Sequence, residues 1–166
     1  ERALRHLEDM ILLEGPDRIA ALVLETVPGT AGIYAPPPGY LAGVRELTRK
    51  HGIVYIADEV MAGFGRTGAW FAVDHWDVAP DLITFAKGVN SGYVPLGGVA
   101  ISRPIYETFV DRTYPGGLTY SGHPLACAAA VATITAMREE GMVENAARLG
   151  TDVIGPRLRE IAERHQ

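Results

Sequence analysis

Three near-continuous apolar runs rich in β-branched residues mark the first hundred positions, at 19–24, 53–57 and 82–85. Such runs are typical of strands that are covered on both faces. A helical pattern over 40–51 separates the first two runs, and this order predicts a βαβ unit of a parallel sheet. A further strand is predicted at 97–101. The pattern therefore indicates an α/β fold.

The remaining apolar patterns have helical spacing. They predict a short helix at 104–109, a buried helix of small residues from 123 to 137, and a helical stretch over 143–165 that breaks near Gly155 and Pro156. Helical spacing also runs through the first residues, so it reaches both ends of the chain. We therefore expect the chain to be an incomplete fragment of a longer protein.

Composition narrows the possible partners. The chain has 15 basic and 20 acidic residues, a formal net charge of −5, and its charges are dispersed. No basic stripe favours nucleic acid, and no apolar run is long enough to cross a bilayer. We expect a cytoplasmic protein with no nucleic-acid or membrane partner.

The cysteine and histidine positions argue against a metal site. Cys127 is the single cysteine and lies among small apolar residues, which predicts a buried, inert thiol. No cysteine and histidine cluster has metal-ligand spacing, so no metal is expected.

Polar residues directly follow the predicted strands. Glu25, Asp58 and Lys87 each stand at or just beyond the end of an apolar run. In open α/β sheets, ligands bind beyond the carboxyl ends of the strands, where loops and helix ends converge. We therefore predict that these three side chains share one crevice.

Asp58 and Lys87 admit two interpretations. Both charges are costly to desolvate unless they pair with each other or with a ligand. The first interpretation is a structural salt bridge between them. The second is a pyridine ring bearing an aldehyde between them, with the carboxylate on the ring nitrogen and the amine on the aldehyde. A phosphate-binding GxxxxGK[ST] motif is absent, which argues against a nucleotide loop.

Three segments carry a resemblance to a known family. Tyr55-Ile56-Ala57-Asp58-Glu59-Val60, the stretch 63–68 (GFGRTG) and the stretch 80–88 (PDLITFAKG) resemble the class III aminotransferases, which are fold-type-I pyridoxal-phosphate enzymes. The similarity continues from Glu25 to the stretch 119–124. It implies that residues 1–140 belong to the large, parallel-sheet, cofactor-binding domain, and that 141–166 continue as helix toward a small C-terminal domain.

The resemblance also implies roles for single residues. Lys87 would form the Schiff base with pyridoxal 5′-phosphate, and Asp58 would hold the ring nitrogen. Val60 would pack on one face of the ring. Thr119 would reach the cofactor phosphate across a dimer interface, which implies a homodimer. From the residues alone, Val60 would be a core valine and Thr119 a turn or helix N-cap residue.

Supporting roles are expected for three further residues. Glu25, which matches the first residue of a family motif, would act at most behind the residues that touch the cofactor. Arg66 would organise its loop, and His123 would cap the helix that follows it.

Two departures from the family pattern bear on substrate. Thr30 stands where branches acting on ornithine, acetylornithine or γ-aminobutyrate often carry glutamate, and Met61 where they often carry glutamine. The chain instead resembles the ω-amino acid and taurine branch, which typically uses pyruvate. This implies amino transfer from a small ω-amino acid or amine to a 2-oxo acid.

Two alternatives remain open at this point. One is an aminomutase or a decarboxylase of the same family, and the other is a non-catalytic α/β binding module. The resemblance also places the phosphate-binding turn and the substrate-carboxylate arginine outside the chain, so we expect these residues alone to be inactive.

Overall fold

The computed structural model describes residues 1–165 and shows a four-stranded mixed sheet in the order β1-β2-β3-β4. The strands are β1 (Ala21–Glu25), β2 (Val54–Asp58), β3 (Leu82–Phe85) and β4 (Gly98–Ile101). β1, β2 and β3 run parallel to one another, and β4 runs antiparallel to β3. The predicted α/β class and the βαβ unit are confirmed.

Six α-helices accompany the sheet. They are α1 (Arg2–Glu14), α2 (Tyr40–Lys50), α3 (Arg103–Glu107), α4 (Pro124–Glu139), α5 (Met142–Arg148) and α6 (Gly155–Arg164). Short 3₁₀ turns lie at Pro16–Arg18, Ala72–Trp76 and Lys87–Val89. Among residues 1–165, no helix is both long and apolar enough to cross a bilayer.

The core lies between β2 and the helix that connects it to β1. Leu41 and Val44 of α2 pack against Tyr55 and Ala57 of β2, and all four side chains are fully buried. Side chains alternate across a strand, so Tyr55 and Ala57 face the helix while Ile56 and Asp58 face the other side. This alternation directs Asp58 away from the core.

The opposite face of the sheet is more open than the sequence predicted. Val23 of β1 is 62% exposed and Val99 of β4 is 53% exposed. The expectation that the runs at 19–24, 53–57 and 82–85 are covered on both faces is therefore wrong for β1 in the described residues. An apolar run shows that a strand prefers a covering layer, but it does not show which residues supply that layer.

The helical stretch after residue 141 is continuous rather than broken at Gly155 and Pro156. A π-helical segment at Leu149–Ile154 joins α5 to α6, and Gly155 N–H donates to the carbonyl of Gly150, five residues earlier. The wider turn lies just before Pro156, which has no N–H and would otherwise disrupt an α-helix. The predicted break is thus replaced by a change of helix type.

Candidate active site

The sheet brings Glu25, Asp58 and β3 to one edge. Glu25 pairs with Asp58 in the β1–β2 register, and Asp58 pairs with Thr84 in the β2–β3 register. Lys87 follows Thr84 by three residues, just past the end of β3. The three polar residues therefore stand at the carboxyl edge of three adjacent parallel strands, and that their side chains share one crevice stays a prediction.

Asp58 presents one free carboxylate oxygen. Its Oδ1 accepts a hydrogen bond from Val60 N–H at 2.9 Å. Within residues 1–165, Oδ2 has no hydrogen-bond partner, and the side chain is half-buried. Because the Val60 N–H fixes only one oxygen of this carboxylate, the other oxygen can accept a hydrogen bond from a ligand N–H.

Lys87 is an exposed amine with an unusual backbone. It opens a 3₁₀ turn at φ +39°, in the left-handed region that non-glycine residues rarely adopt. Within residues 1–165, no salt bridge joins it to Asp58 or to another carboxylate. The structural ion pair, which was the simpler interpretation of these two residues, is therefore not formed.

Lys87 also borders two cavities. The larger, about 740 Å³, is lined by Lys87 together with Phe64, Ser91, Tyr93 and Met137, among others. The second, about 450 Å³, lies between Lys87 and the stretch 95–97. Asp58 and Val60 line neither of these two cavities.

A buried asparagine shapes the turn after Lys87, and the sequence interpretation missed it. Asn90 is 1% exposed; its amide nitrogen donates to Val94 O, and its Oδ1 accepts Gly92 N–H at 3.2 Å. Ser91 between them has φ +55°. The Asn-Ser-Gly sequence is a turn signal that could have identified this residue.

Supporting roles were predicted for Glu25, Arg66 and His123, and the structure shows the contacts of each. Glu25 Oε2 accepts Gly29 N–H at 3.0 Å, and Arg66 Nε donates to Met61 O at 2.6 Å, so Arg66 organises its loop as expected. His123 is the N-cap residue of α4 but forms no side-chain cap, which contradicts the predicted capping role.

The thiol prediction is also wrong. Cys127 is exposed, because α4 buries only Ala126, Ala130 and Met137 and leaves its other faces open. A helix of small apolar residues looks buried all round in sequence, yet only one side of it packs against the described chain.

Thr119 lies in the segment between α3 and α4. It is exposed, in a turn of the segment 110–122, and lines neither cavity at Lys87. His123 is the N-cap of α4, so Thr119 is not a helix cap. A role for Thr119 at this chain's own Asp58 and Lys87 therefore has no support from the described contacts.

A second acidic residue sits behind Asp58. Glu59 is fully buried, and its carboxylate accepts hydrogen bonds from Thr26 Oγ1, Ala72 N–H and Val73 N–H. Burial raises the pKa of the Tyr55 hydroxyl to about 12, and the nearby Glu59 charge adds to the effect.

Among residues 1–165, no cluster of three His, Cys, Asp or Glu side chains could hold a metal ion.

Comparison with known proteins assigns the class. The family model for class III aminotransferases matches residues 1–166. The chain therefore belongs to the class III aminotransferase family, whose members use pyridoxal 5′-phosphate.

Named relatives agree with this assignment. Diaminobutyrate–2-oxoglutarate transaminase of Halomonas elongata is 46% identical over 149 residues, which is 87% of this chain and 32% of that protein. Putrescine–pyruvate aminotransferase of Pseudomonas aeruginosa is 40% identical over 162 residues, 97% of this chain and 36% of that protein. The chain thus spans about a third of the length of these relatives.

Solved structures show the same fold. Taurine:2-oxoglutarate aminotransferase from Bifidobacterium kashiwanohense, in complex with PLP and glutamate, matches with a TM-score of 0.93 and 48% identity over 98% of this chain and 36% of that one. A transaminase from Virgibacillus matches with a TM-score of 0.94 and 44% identity over 99% of this chain and 38% of that one.

Proposed function

We propose that the full-length protein is a pyridoxal-phosphate-dependent aminotransferase that moves an amino group from a small ω-amino acid or amine to a 2-oxo acid. The observation that carries the proposal is the placement of Asp58 and Lys87 at adjacent strand ends without an ion pair between them. Family membership supplies the cofactor class that fits between an acid and an amine.

The donor set of the crevice fits that cofactor. Bound pyridoxal phosphate supplies an electron-withdrawing pyridinium ring and an aldehyde carbon that reacts with amines. Asp58 offers a free Oδ2 suited to a ring N–H, and Lys87 offers an exposed amine. Val60, whose backbone N–H donates to Asp58, would pack on one face of the ring.

Asp58 would hold a proton on the ring nitrogen. A carboxylate about 4 Å from that nitrogen, at an effective dielectric near 20, contributes roughly 4 kcal/mol. This corresponds to about three pKa units in favour of the protonated ring. At such a distance the carboxylate would keep the ring charged at neutral pH.

Lys87 would have two tasks. Its amine would hold the aldehyde end of the bound cofactor, and it would also move a proton at the substrate Cα. An amine that is held by no carboxylate can turn toward a ligand at the strand ends. The lack of a salt bridge at Lys87 in the described chain suits both tasks.

The acceptor is proposed to be pyruvate. Thr30 is exposed and carries no charge for a second carboxylate, and the side chain of Met61 lies against Gly29 instead of offering a polar group. Relatives are named for both pyruvate and 2-oxoglutarate. Initial rates with each acceptor decide this point, and a higher kcat/KM with 2-oxoglutarate would contradict the pyruvate assignment.

The assembly is proposed to be a homodimer with shared active sites, located in the cytoplasm. Thr119 is exposed, which leaves it available to a partner subunit's cofactor phosphate. The division into a large-domain part at 1–140 and a helical continuation at 141–166 also remains a prediction.

Chemical fixation of the cofactor tests the proposal directly. Borohydride added to the full-length protein with pyridoxal phosphate should attach the cofactor to Lys87, and Lys87→Ala should abolish the labelled peptide. The chain 1–166 offers an internal control, because its one other lysine, Lys50, is exposed and bridged to Glu8. Label on Lys50 and none on Lys87 would refute the assignment.

Product analysis separates the alternatives within the family. An aminotransferase consumes a 2-oxo acid in equal amount with the amine donor and releases no carbon dioxide. A decarboxylase releases carbon dioxide, and an aminomutase needs no acceptor. A non-catalytic binding module would show no visible cofactor absorbance at all.

A further inference from the structure

Glu59 is a buried carboxylate that the proposed chemistry does not use. Its side chain is 0% exposed, and in the described chain no lysine, arginine or histidine lies within salt-bridge distance of it. Its three hydrogen bonds come from Thr26 Oγ1 at 2.6 Å, Ala72 N–H at 2.8 Å and Val73 N–H at 3.0 Å. A buried carboxylate without a cation needs such donors, because its desolvation is otherwise uncompensated.

The donors join two separate parts of the chain at Glu59. Thr26 follows the last residue of β1, and its own N–H donates to Asp58 O at 3.4 Å. Ala72 and Val73 begin the 3₁₀ turn that closes the loop after β2. The Glu59 side chain therefore ties the end of β1 and the far end of that loop to the residue next to Asp58.

The backbone of Glu59 completes the attachment. Glu59 N–H donates to Thr84 O of β3, and Glu59 O accepts Gly63 N–H, both at 2.9 Å. The carboxylate of Asp58, by contrast, has one hydrogen bond in residues 1–165, to the backbone of Val60. The direction of that carboxylate thus depends on the backbone at 58–60, which Glu59 holds in place.

Glu59 cannot touch a ligand in the crevice. Consecutive side chains along extended backbone point to opposite faces, and Asp58 is half-buried at the open edge while Glu59 lies in the interior. Any effect of Glu59 on chemistry must therefore pass through Asp58 and the loop.

We propose that Glu59 is a positioning residue that holds Asp58 in line with the cofactor ring nitrogen, an inference that rests on the function proposed above. A displacement of a catalytic group by about 1 Å costs on the order of a hundredfold in rate. Loss of the Glu59 anchor is expected to lower kcat by about that factor and to weaken the hold on the ring proton.

Glu59→Gln is the matched variant. The NH₂ group of the glutamine amide would face the backbone N–H of Val73 in one orientation and that of Ala72 in the other. Two donors then face each other, so at least one hydrogen bond is lost in either orientation. Thr26→Val removes one donor and leaves both backbone hydrogen bonds to Glu59, so its effect should have the same direction and be smaller. Glu46→Gln, on the exposed face of α2, is the control.

The readout is the protonation of the ring nitrogen in full-length protein loaded with ¹⁵N-labelled pyridoxal phosphate. Its NMR shift against pH should show that Glu59→Gln loses the ring proton at a lower pH than the wild type, as Asp58→Asn does more strongly. Cofactor affinity is measured in parallel by absorbance titration, and thermal unfolding of the cofactor-free variants confirms that they fold. Glu46→Gln should match the wild type throughout.

Two negative outcomes are distinct. If Asp58→Asn changes the ring-nitrogen titration but folded Glu59→Gln and Thr26→Val do not, the positioning role is overturned and the proposed function stands. If Asp58→Asn also has no effect, the proposed function itself is wrong at Asp58. Should Glu59→Gln not fold, Thr26→Val decides, and a wild-type titration and rate for it would overturn the inference.

Discussion

At the scale of single residues, the candidate site combines a lysine in a strained backbone with an aspartate on ordinary extended strand. Lys87 at φ +39° is held there by a turn that ends with the buried Asn90. Non-glycine residues in this region cost of order 1 kcal/mol and cluster where the side chain must be aimed. The strain at Lys87 is therefore expected to serve the direction of its amine.

The Lys87→Gly protein should be more stable to unfolding than the Lys87→Ala protein. Both variants lack the amine, so cofactor chemistry does not separate them, but glycine adopts a positive φ without a Cβ penalty. In cofactor-free full-length protein, we expect Lys87→Gly to exceed Lys87→Ala by about 1 kcal/mol in free energy of unfolding, measured by urea titration.

The control for this prediction is Ala42→Gly. Ala42 is exposed and lies within α2, where glycine should destabilise by about 1 kcal/mol. An equal or lower stability for Lys87→Gly than for Lys87→Ala would show that position 87 is not strained.

At the scale of elements, the sequence predicted the strands well and their surroundings poorly. The run 82–85 is β3 without change, and the other strands shifted by one or two residues, because hydrogen bonding rather than apolarity sets where a strand ends. The positions of Asp58 and Lys87 followed from strand ends alone. Asn90 and the donors of Glu59 did not, since they depend on contacts between distant segments.

The opposite edge of the sheet carries an ion pair that the sequence did not indicate. Arg45 of α2 makes a two-pronged contact with Asp81 at 2.6 and 2.7 Å, and Tyr55 N–H donates to the same carboxylate at 2.8 Å. Hydrogen bonding from the Arg45 guanidinium holds the pKa of the Asp81 carboxyl below its usual range, despite the opposing effect of burial. The pair fixes α2 to the start of β3.

Asp81→Asn should destabilise the full-length protein at neutral pH. Because the folded-state pKa is lowered, the contribution is complete above the ordinary aspartate pKa of about 3.9 and is lost as the pH falls through the folded value. We expect a loss of about 1–2 kcal/mol at pH 7, allowing for partial exposure to water, that shrinks toward pH 3. Urea titrations at both pH values measure it.

Glu8→Gln serves as the comparison. Glu8 pairs with the exposed Lys50, and such surface pairs contribute little to stability. A pH-independent loss for Asp81→Asn would show that its ionisation is not what stabilises the junction.

At the scale of the whole molecule, the chain spans about a third of the length of its named relatives. Thr119 is exposed in the segment 110–122 and lies outside both cavities at Lys87. Its proposed contact with a cofactor phosphate lies across the dimer interface, so the proposed homodimer can be tested through this residue.

Mixed dimers provide that test. Lys87→Ala and Thr119→Ala homodimers should each be impaired, the first completely and the second through weaker cofactor affinity. When Thr119 acts across the interface, a hybrid of the two variants contains one intact site and one doubly altered site, so refolded mixtures should regain activity. No recovery in hybrids isolated with two different affinity tags would place Thr119 in its own subunit's site or in none.

The loop that begins at Asp58 is locked to helix α5. A Cβ at Gly68 would meet Ala147 Cα at 2.7 Å, and one at Gly65 would meet Val143 Cγ2 at 3.1 Å. Only residues without a side chain let the loop and the helix approach this closely, so a larger residue at either glycine would push α5 away from the loop.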